Sequence, residues 1–310
     1  MINLVGMLTA DLILAQVRNR PDFGEEHMVD HMTIRAGALA NTLFPLAKLG
    51  VKQNVFSILG KDEFGDQIYN ELSPMIENDI RRSDTPTMLS VSVVKEGGAR
   101  YFVTYSGNAY EFTPSLAADI KPFGEAKALM LYGYFLAPAF GPEGALACLE
   151  GAKAAGQLTF FDANSAIDGW SEKSRQEIYS FLPYIDYFMP NDEELLKLTG
   201  ASSEAEAVDM LRRRGARTVV VKRGADGAAA YPPNGPAVRH PGFRVEAYDT
   251  TGAGDSFNAG FMYSVLNQAD LHRALAFGNA LASIVVSRKE DRYPALTEIE
   301  EKLEAKLHAN

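Results

Sequence analysis

Short apolar runs rich in β-branched and aromatic residues recur along the chain, at 2–5, 54–59, 128–132, 158–162, 187–189 and 218–222, and most show no polar alternation. A strand that is apolar on both faces must be covered on both, as in a parallel sheet with helices on either side. Segments with helical spacing fill the gaps, at 40–49, 144–155, 204–213 and 253–266, so strand and helix alternate. The expected fold is therefore α/β, a doubly wound, mostly parallel sheet flanked by helices.

Two stretches break the alternation, about 12–35 and 86–110. In the second, Leu89, Val91 and Val93 alternate with Ser90 and Ser92, Gly97-Gly98 offers a turn, and Tyr101, Val103 and Tyr105 resume the alternation. That is the pattern of an antiparallel hairpin with one wet face. A hairpin of this kind does not join a buried parallel sheet, so the two stretches are expected to form a small antiparallel β lid on a single domain spanning 1–310. Helices are also expected at 271–287 and 297–308.

Composition narrows the function classes. With 46% hydrophobic and 23% charged residues the chain is of ordinary globular type. Its net charge of −10 lacks the Lys/Arg surplus that nucleic-acid binding draws on. Cys148 is the single cysteine, so no intramolecular disulfide forms; placed in an expected helix, it reads as a buried thiol without chemistry in a reducing compartment. No uncharged apolar run reaches the ~18 residues that a membrane span requires. The expected setting is cytoplasmic, with neither membrane nor nucleic acid as partner.

The segment 249–261, DTTGAGDSFNAGF, carries the chemistry. Gly252, Ala253 and Gly254 stand immediately before a long helix, where small residues let backbone amides approach an anion and the helix N-terminus adds unsatisfied donors and partial positive charge. Asp255 stands where a carboxylate can accept a hydroxyl proton beside that anion. A capped helix start would use similar residue types.

The whole string resembles the second signature of the ribokinase-like, or phosphofructokinase B, carbohydrate kinases. The segment 36–50, AGALANTLFPLAKLG, resembles that family's first signature, in which a glycine-rich turn and an asparagine bind the acceptor sugar; Gly37 and Asn41 match, and Ala36 replaces the usual first glycine. Gly6 and Asp11 fall where the family has a strand followed by an aspartate for acceptor hydroxyls, and Gly24-Glu25 resembles the start of its lid. The resemblance implies ATP-dependent phosphorylation of a hydroxymethyl group on a sugar or sugar-like molecule, with Asp255 as general base and Gly252–Gly254 as anion hole.

It also implies a nucleotide half. Asn191 and Glu194 in PNDEE resemble the family's Asn-x-x-Glu motif, which organises Mg2+-bound water and the donor phosphates, and they also spell a capping box. Lys222, Gly224 and Gly227 in VVVKRGADG match its nucleotide-binding stretch, which read alone is a plain β-turn-β connection. Asn279 falls near where it packs adenine.

Asp249 and Thr251 resemble residues that hold a monovalent cation in some members. Over 287–296 this chain reads SRKEDRYPAL in place of the Gly-Ala pair of such sites, which speaks against K+ activation. In FDANSAIDGW, Asp162, Asn164 and Trp170 match a recurring pattern, while Ala166 replaces its arginine, which disfavours an anionic acceptor that needs that arginine; Trp170 reads as core packing.

A phosphate loop is absent, because Gly60-Lys61 is followed by Asp62. No Gly-x-Ser-x-Gly elbow and no metal-ligand spacing of histidine and cysteine occurs. The competing readings are a nucleoside kinase of the same fold, with lid aromatics Tyr101, Phe102, Tyr105 and Tyr110 against a base or in a lid core, and a non-catalytic sugar or nucleotide sensor. The exposed face of a lid sheet favours a homodimer through the lids.

Overall fold

The computed structural model describes residues 1–17, 22–95, 100–119 and 125–308. The large sheet comprises β1 (Ile2–Val5), β4 (Gln53–Phe56), β9 (Ala128–Tyr132), β10 (Leu158–Asp162), β11 (Tyr187–Phe188), β12 (Thr218–Lys222), β13 (Ala228–Tyr231) and β14 (Val238–His240). A second sheet comprises β2 (Leu8–Val17), β3 (His31–Ala38), β7 (Leu89–Lys95) and β8 (Arg100–Tyr105), and β5 (Ile58–Gly60) pairs with β6 (Arg81–Ser83).

The large sheet runs β14-β13-β12-β11-β10-β9-β1-β4. Its pairings are parallel from β4 to β12 and antiparallel only for β12 with β13 and β13 with β14. Side chains on alternate residues enter two separate cores. Leu129, Leu131 and Phe161 join one, and Ala128, Met130 and Phe160 the other. Each large apolar side chain so buried contributes roughly 1.5–3 kcal/mol. This two-sided burial is why the strands read as unbroken apolar runs.

β1 lies between β4 and β9, so the chain winds outward from it in both directions. A crevice opens beyond the carboxyl ends of strands at such a reversal, which is where ligands bind in open α/β sheets. The helices Ala40–Lys48 and Ala253–Leu266 pack on the same core as Tyr132, the last residue of β9.

The second sheet is built from two antiparallel hairpins, with Asp11 opposite Arg35 and Val91 opposite Val103. They meet along a parallel seam between β2 and β7, so the small sheet is antiparallel within each hairpin and parallel between them. It starts at Leu8, before the expected boundary. The Gly97-Gly98 turn and residues 18–21 of the first stretch lie outside the described residues. Tyr101, Phe102, Tyr105 and Tyr110 are exposed and do not form a lid core.

The run 54–59 is not one strand. It divides at Ser57, whose Oγ accepts the Leu8 amide at 3.1 Å, leaving β4 in the large sheet and β5 in the two-stranded one. The helix expected at 144–155 is Gly141–Ala154 and carries Pro142 in its first turn, where a missing N–H costs no hydrogen bond. Cys148 is buried in it, and burial pushes its thiol up to about 12, so it keeps its proton. Trp170 is buried and meets Phe135 edge to face. No helix among the described residues is long and apolar enough to cross a membrane.

Candidate active site

The carboxyl ends of the parallel strands deliver the site. Tyr132 ends β9, Asp162 ends β10 and Lys222 ends β12, while Asn191, just after β11, forms a parallel bridge with Lys222. Strand neighbours therefore bring together residues that are far apart in sequence.

Above them, the bend 249–252 leads into the helix Ala253–Leu266. Gly252 is its N-cap, in the left-handed region at φ +79°, which favours glycine. The Ala253 amide reaches the Thr250 carbonyl at 3.3 Å, and the Ser256 amide bonds the Gly252 carbonyl at 2.9 Å. Among the described residues, the amides of Gly254 and Asp255 have no acceptor. They are the orphan donors of a helix start, and the Lys222 Nζ lies 3.4 Å from where a side-chain carbon on Gly254 would stand. Free amides and an ammonium thus share one place.

Asp255 is half-buried beside them. Burial, then the nearby Asp162 carboxylate, raises its pKa to about 7, against the pull of Lys222 and a hydrogen bond from the Tyr132 hydroxyl. Lys222 itself donates to Asp162 Oδ2 at 2.5 Å, and Asn258 Nδ2 donates to the same oxygen at 2.6 Å. Burial opposes the lysine's charge, but Asp162 and Glu194 outweigh it and raise its pKa. An acid that titrates near neutrality beside a fixed cation and free amides is equipped for proton transfer next to an anion.

Asn191 and Glu194 form the capping box. Asn191 Oδ1 accepts the Glu194 amide at 2.7 Å and Glu194 Oε2 accepts the Asn191 amide at 3.0 Å. Ser165 donates to the other Glu194 oxygen at 3.1 Å. Burial, then Asp162, raises the Glu194 pKa.

The acceptor candidates converge from the second sheet. Asp11 lies on β2 and Gly37 on β3, and a side-chain carbon at 37 would stand 2.1 Å from the Asp11 carboxyl carbon, so only glycine leaves that carboxylate its place. Burial raises Asp11 to about 6, opposed by the Thr9 hydroxyl, which donates at 2.8 Å, and by Arg35. Asn41, in the first turn of Ala40–Lys48, is 3% exposed, and its Oδ1 has no partner among the described residues. Its side chain lies against Gly252, and Thr42 donates to the Asp255 carbonyl at 3.4 Å. The helix Ala40–Lys48 therefore touches the bend directly.

Asp249 caps the bend, its Oδ1 accepting the Thr251 amide at 2.8 Å while its Oδ2 pairs with Arg35 at 2.9 Å. The backbone carbonyls of Asp249 and Thr251 accept from Arg292. Gly224 begins an exposed turn after β12. Gly227 and Asn279 form a second group. A side-chain carbon on Gly227 would meet the His240 carbonyl, and Asn279 Nδ2 donates to that same carbonyl at 3.2 Å.

Several site residues had no assigned role in the sequence reading: Tyr132, Asp162 as partner of Lys222, Asn258, Arg35, His240 and Arg292. Tyr132 and Asp162 are the final residues of strands recognised at their correct ends. Their position at a sheet's carboxyl edge was the available signal.

A doubly wound sheet with a small separate sheet beside its switch point, and an acid next to helix-start amides, is the build of a small-molecule kinase. The chain belongs to the pfkB family of carbohydrate kinases, whose profile matches residues 1–298. It is a sugar kinase of the ribokinase fold. A 5-dehydro-2-deoxygluconokinase of Geobacillus kaustophilus is 28% identical over 320 residues, covering 97% of this chain and 92% of that one. One of Shouchella clausii is 33% identical over 180 residues, 56% of this chain and 55% of its own length. The Arabidopsis thaliana ribokinase, solved with ribose and ATP, superposes with a TM-score of 0.81 at 22% identity, covering 97% of this chain and 98% of that one.

Proposed function

We propose that the protein transfers the terminal phosphoryl group of ATP, with Mg2+, to a hydroxymethyl group of a sugar or sugar-like small molecule. The observation that carries this reading is the meeting of three things at one bend: free amides at Gly254 and Asp255, a carboxylate titrating near 7, and the unpartnered Asn41 oxygen on the acceptor side.

These residues suit a phosphate and a hydroxyl. Asp11 and Asn41 hold the acceptor hydroxyls, Gly37 giving Asp11 its room. The Asp255 carboxylate takes the proton of the attacking hydroxyl as its oxygen bonds to phosphorus and the bond to the leaving phosphate oxygen breaks. The free amides of Gly254 and Asp255 at the Gly252–Gly254 turn, with Lys222, face the charge on the transferred group. Magnesium ATP supplies that group and part of its charge neutralisation. Asn191 and Glu194 would hold Mg2+ through its water shell, and Gly224, Gly227 and Asn279 would border the nucleotide's base.

The acceptor is sought first among open-chain and ring sugars. Relatives along this chain are named for 5-dehydro-2-deoxygluconate, which heads the panel. Ala166 is buried and offers no cation to an acid acceptor, and Arg35 is paired with Asp249. ADP release is measured over that acid, fructose, ribose and several nucleosides. Release with a sugar supports the reading, release with nucleosides alone transfers it to a nucleoside kinase, and binding without release throughout makes the protein a sensor.

The same reading includes a cytoplasmic setting, where ATP is at hand, and a homodimer through the small sheets. β8 is an edge strand, and its Phe102 and Val103 are 52% and 62% exposed. Sedimentation at dimer mass, lost in Val103→Glu, supports this assembly, and a monomeric wild type refutes it.

A further inference from the structure

Four oxygens converge on one guanidinium behind the bend. Arg292 Nη2 donates to the Thr251 carbonyl at 2.8 Å and to the Asp249 carbonyl at 3.3 Å, and Nε donates to the Val285 carbonyl at 3.3 Å. Nη1 lies 3.4 Å from Asp249 Oδ2. Three carbonyls and a carboxylate are the donor set of a hard cation, and here they surround a side chain that is 10% exposed. The bend is docked on the same region, because the Tyr248 and Asp249 amides both donate to the Val286 carbonyl, at 2.8 and 3.1 Å.

A K+ ion at Asp249 and Thr251 would need these carbonyls, so the residues present do not suit it. Burial, then Arg35, lowers the Arg292 pKa from its ordinary value, yet a guanidinium stays protonated at neutral pH. The charge is therefore permanent and covalently attached, unlike that of an exchangeable ion.

We propose that Arg292 is a resident cation that positions the bend 249–252, and with it the Gly254 and Asp255 amides, so that the enzyme works without any monovalent metal ion. This rests on the kinase reading above. Arg292 is a positioning residue, acting on the transferred phosphate only through the backbone it holds. Its Nη2 holds two carbonyls of the bend and its Nε ties the same guanidinium to the Val285 carbonyl of the helix Leu271–Ser287, so loss of the side chain loosens the bend from that helix.

The test compares wild type, Arg292→Ala and Arg292→Lys in chlorides of potassium, sodium and tetramethylammonium at equal ionic strength, reading turnover and melting temperature. Wild type is expected to show the same turnover and melting temperature in all three. Arg292→Ala is expected to lose about tenfold or more in turnover in tetramethylammonium. Potassium should restore part of that loss and raise the variant's melting temperature by about 2–4 °C. Arg292→Lys keeps a charge and is expected to retain more turnover than the alanine variant without potassium.

Activation of wild type by potassium, or melting of wild type that rises with potassium, overturns the proposal. So does an alanine variant indifferent to the cation, or a lysine variant no better than alanine. If the alanine variant does not fold, the wild-type arms decide. If wild type turns over no compound, the kinase reading fails separately, while the melting data still judge the cation site.

Discussion

The Lys222 ammonium lies 2.5 Å from the Asp162 carboxylate, beside the start of the helix Ala253–Leu266, the two side chains being 11% and 1% exposed. β12 runs two residues beyond the level at which β10 ends, and the long lysine side chain reaches back across β11 to the carboxylate. It also faces Glu194 and Asp255. Removing the cation leaves buried carboxylates uncompensated, which costs about 3–5 kcal/mol of stability. Lys222→Met is expected to lower the urea midpoint accordingly and turnover by about a hundredfold. It also removes the charge that favours ionised Asp255, so the acid limb of the pH–rate profile shifts to higher pH.

Asp255 is active as a base only when ionised. With a pKa of about 7, kcat/KM is expected to fall tenfold per pH unit below that value and to level off above it. Asp255→Asn is expected to lose about 10²–10⁴ in turnover while nucleotide affinity, read by calorimetry, is retained.

The same shift has a stability consequence of opposite sign to that of an ordinary paired carboxylate. Between the ordinary aspartate value of 3.8 and about 7 the folded chain holds a proton on Asp255 that the unfolded chain has released. Wild type therefore loses stability as pH rises through that window. Asp255→Asn escapes this loss and is expected to be more stable than wild type at pH 8, on the order of 2 kcal/mol. The gap should close as pH falls toward 4, as followed by chemical denaturation.

Gly37→Ala tests the acceptor side alone. The new methyl carbon overlaps the Asp11 carboxyl group, which must swing away. A hydrogen bond to a charged group contributes about 1.5–3 kcal/mol, so the acceptor KM is expected to rise about tenfold to a hundredfold. The nucleotide KM should be unchanged; equal effects on both would disconnect Asp11 from the acceptor.

The architecture was legible because two-sided burial writes itself into sequence as continuous apolar runs, and the helix start at 252–255 because small residues and an acid must be contiguous there. The Lys222–Asp162–Asn258 cluster was not, since its members meet through parallel strand order and a helix packed across them, which no local pattern encodes. Residues 54–59 misled for a related reason: the break depends on Ser57 receiving an amide from Leu8, a partner 49 positions away. Arg292 lies in the charged stretch 287–296, and only folding brings it to the carbonyls of the bend.

A crystal structure with a non-hydrolysable ATP analogue and the acceptor identified by the panel tests the proposed chemistry most directly. The expected result is the terminal phosphate against the amides of Gly254 and Asp255, with the acceptor's primary hydroxyl within hydrogen-bonding distance of the Asp255 carboxylate. A terminal phosphate bound away from that bend, or an acceptor whose hydroxyl meets another group, would contradict it.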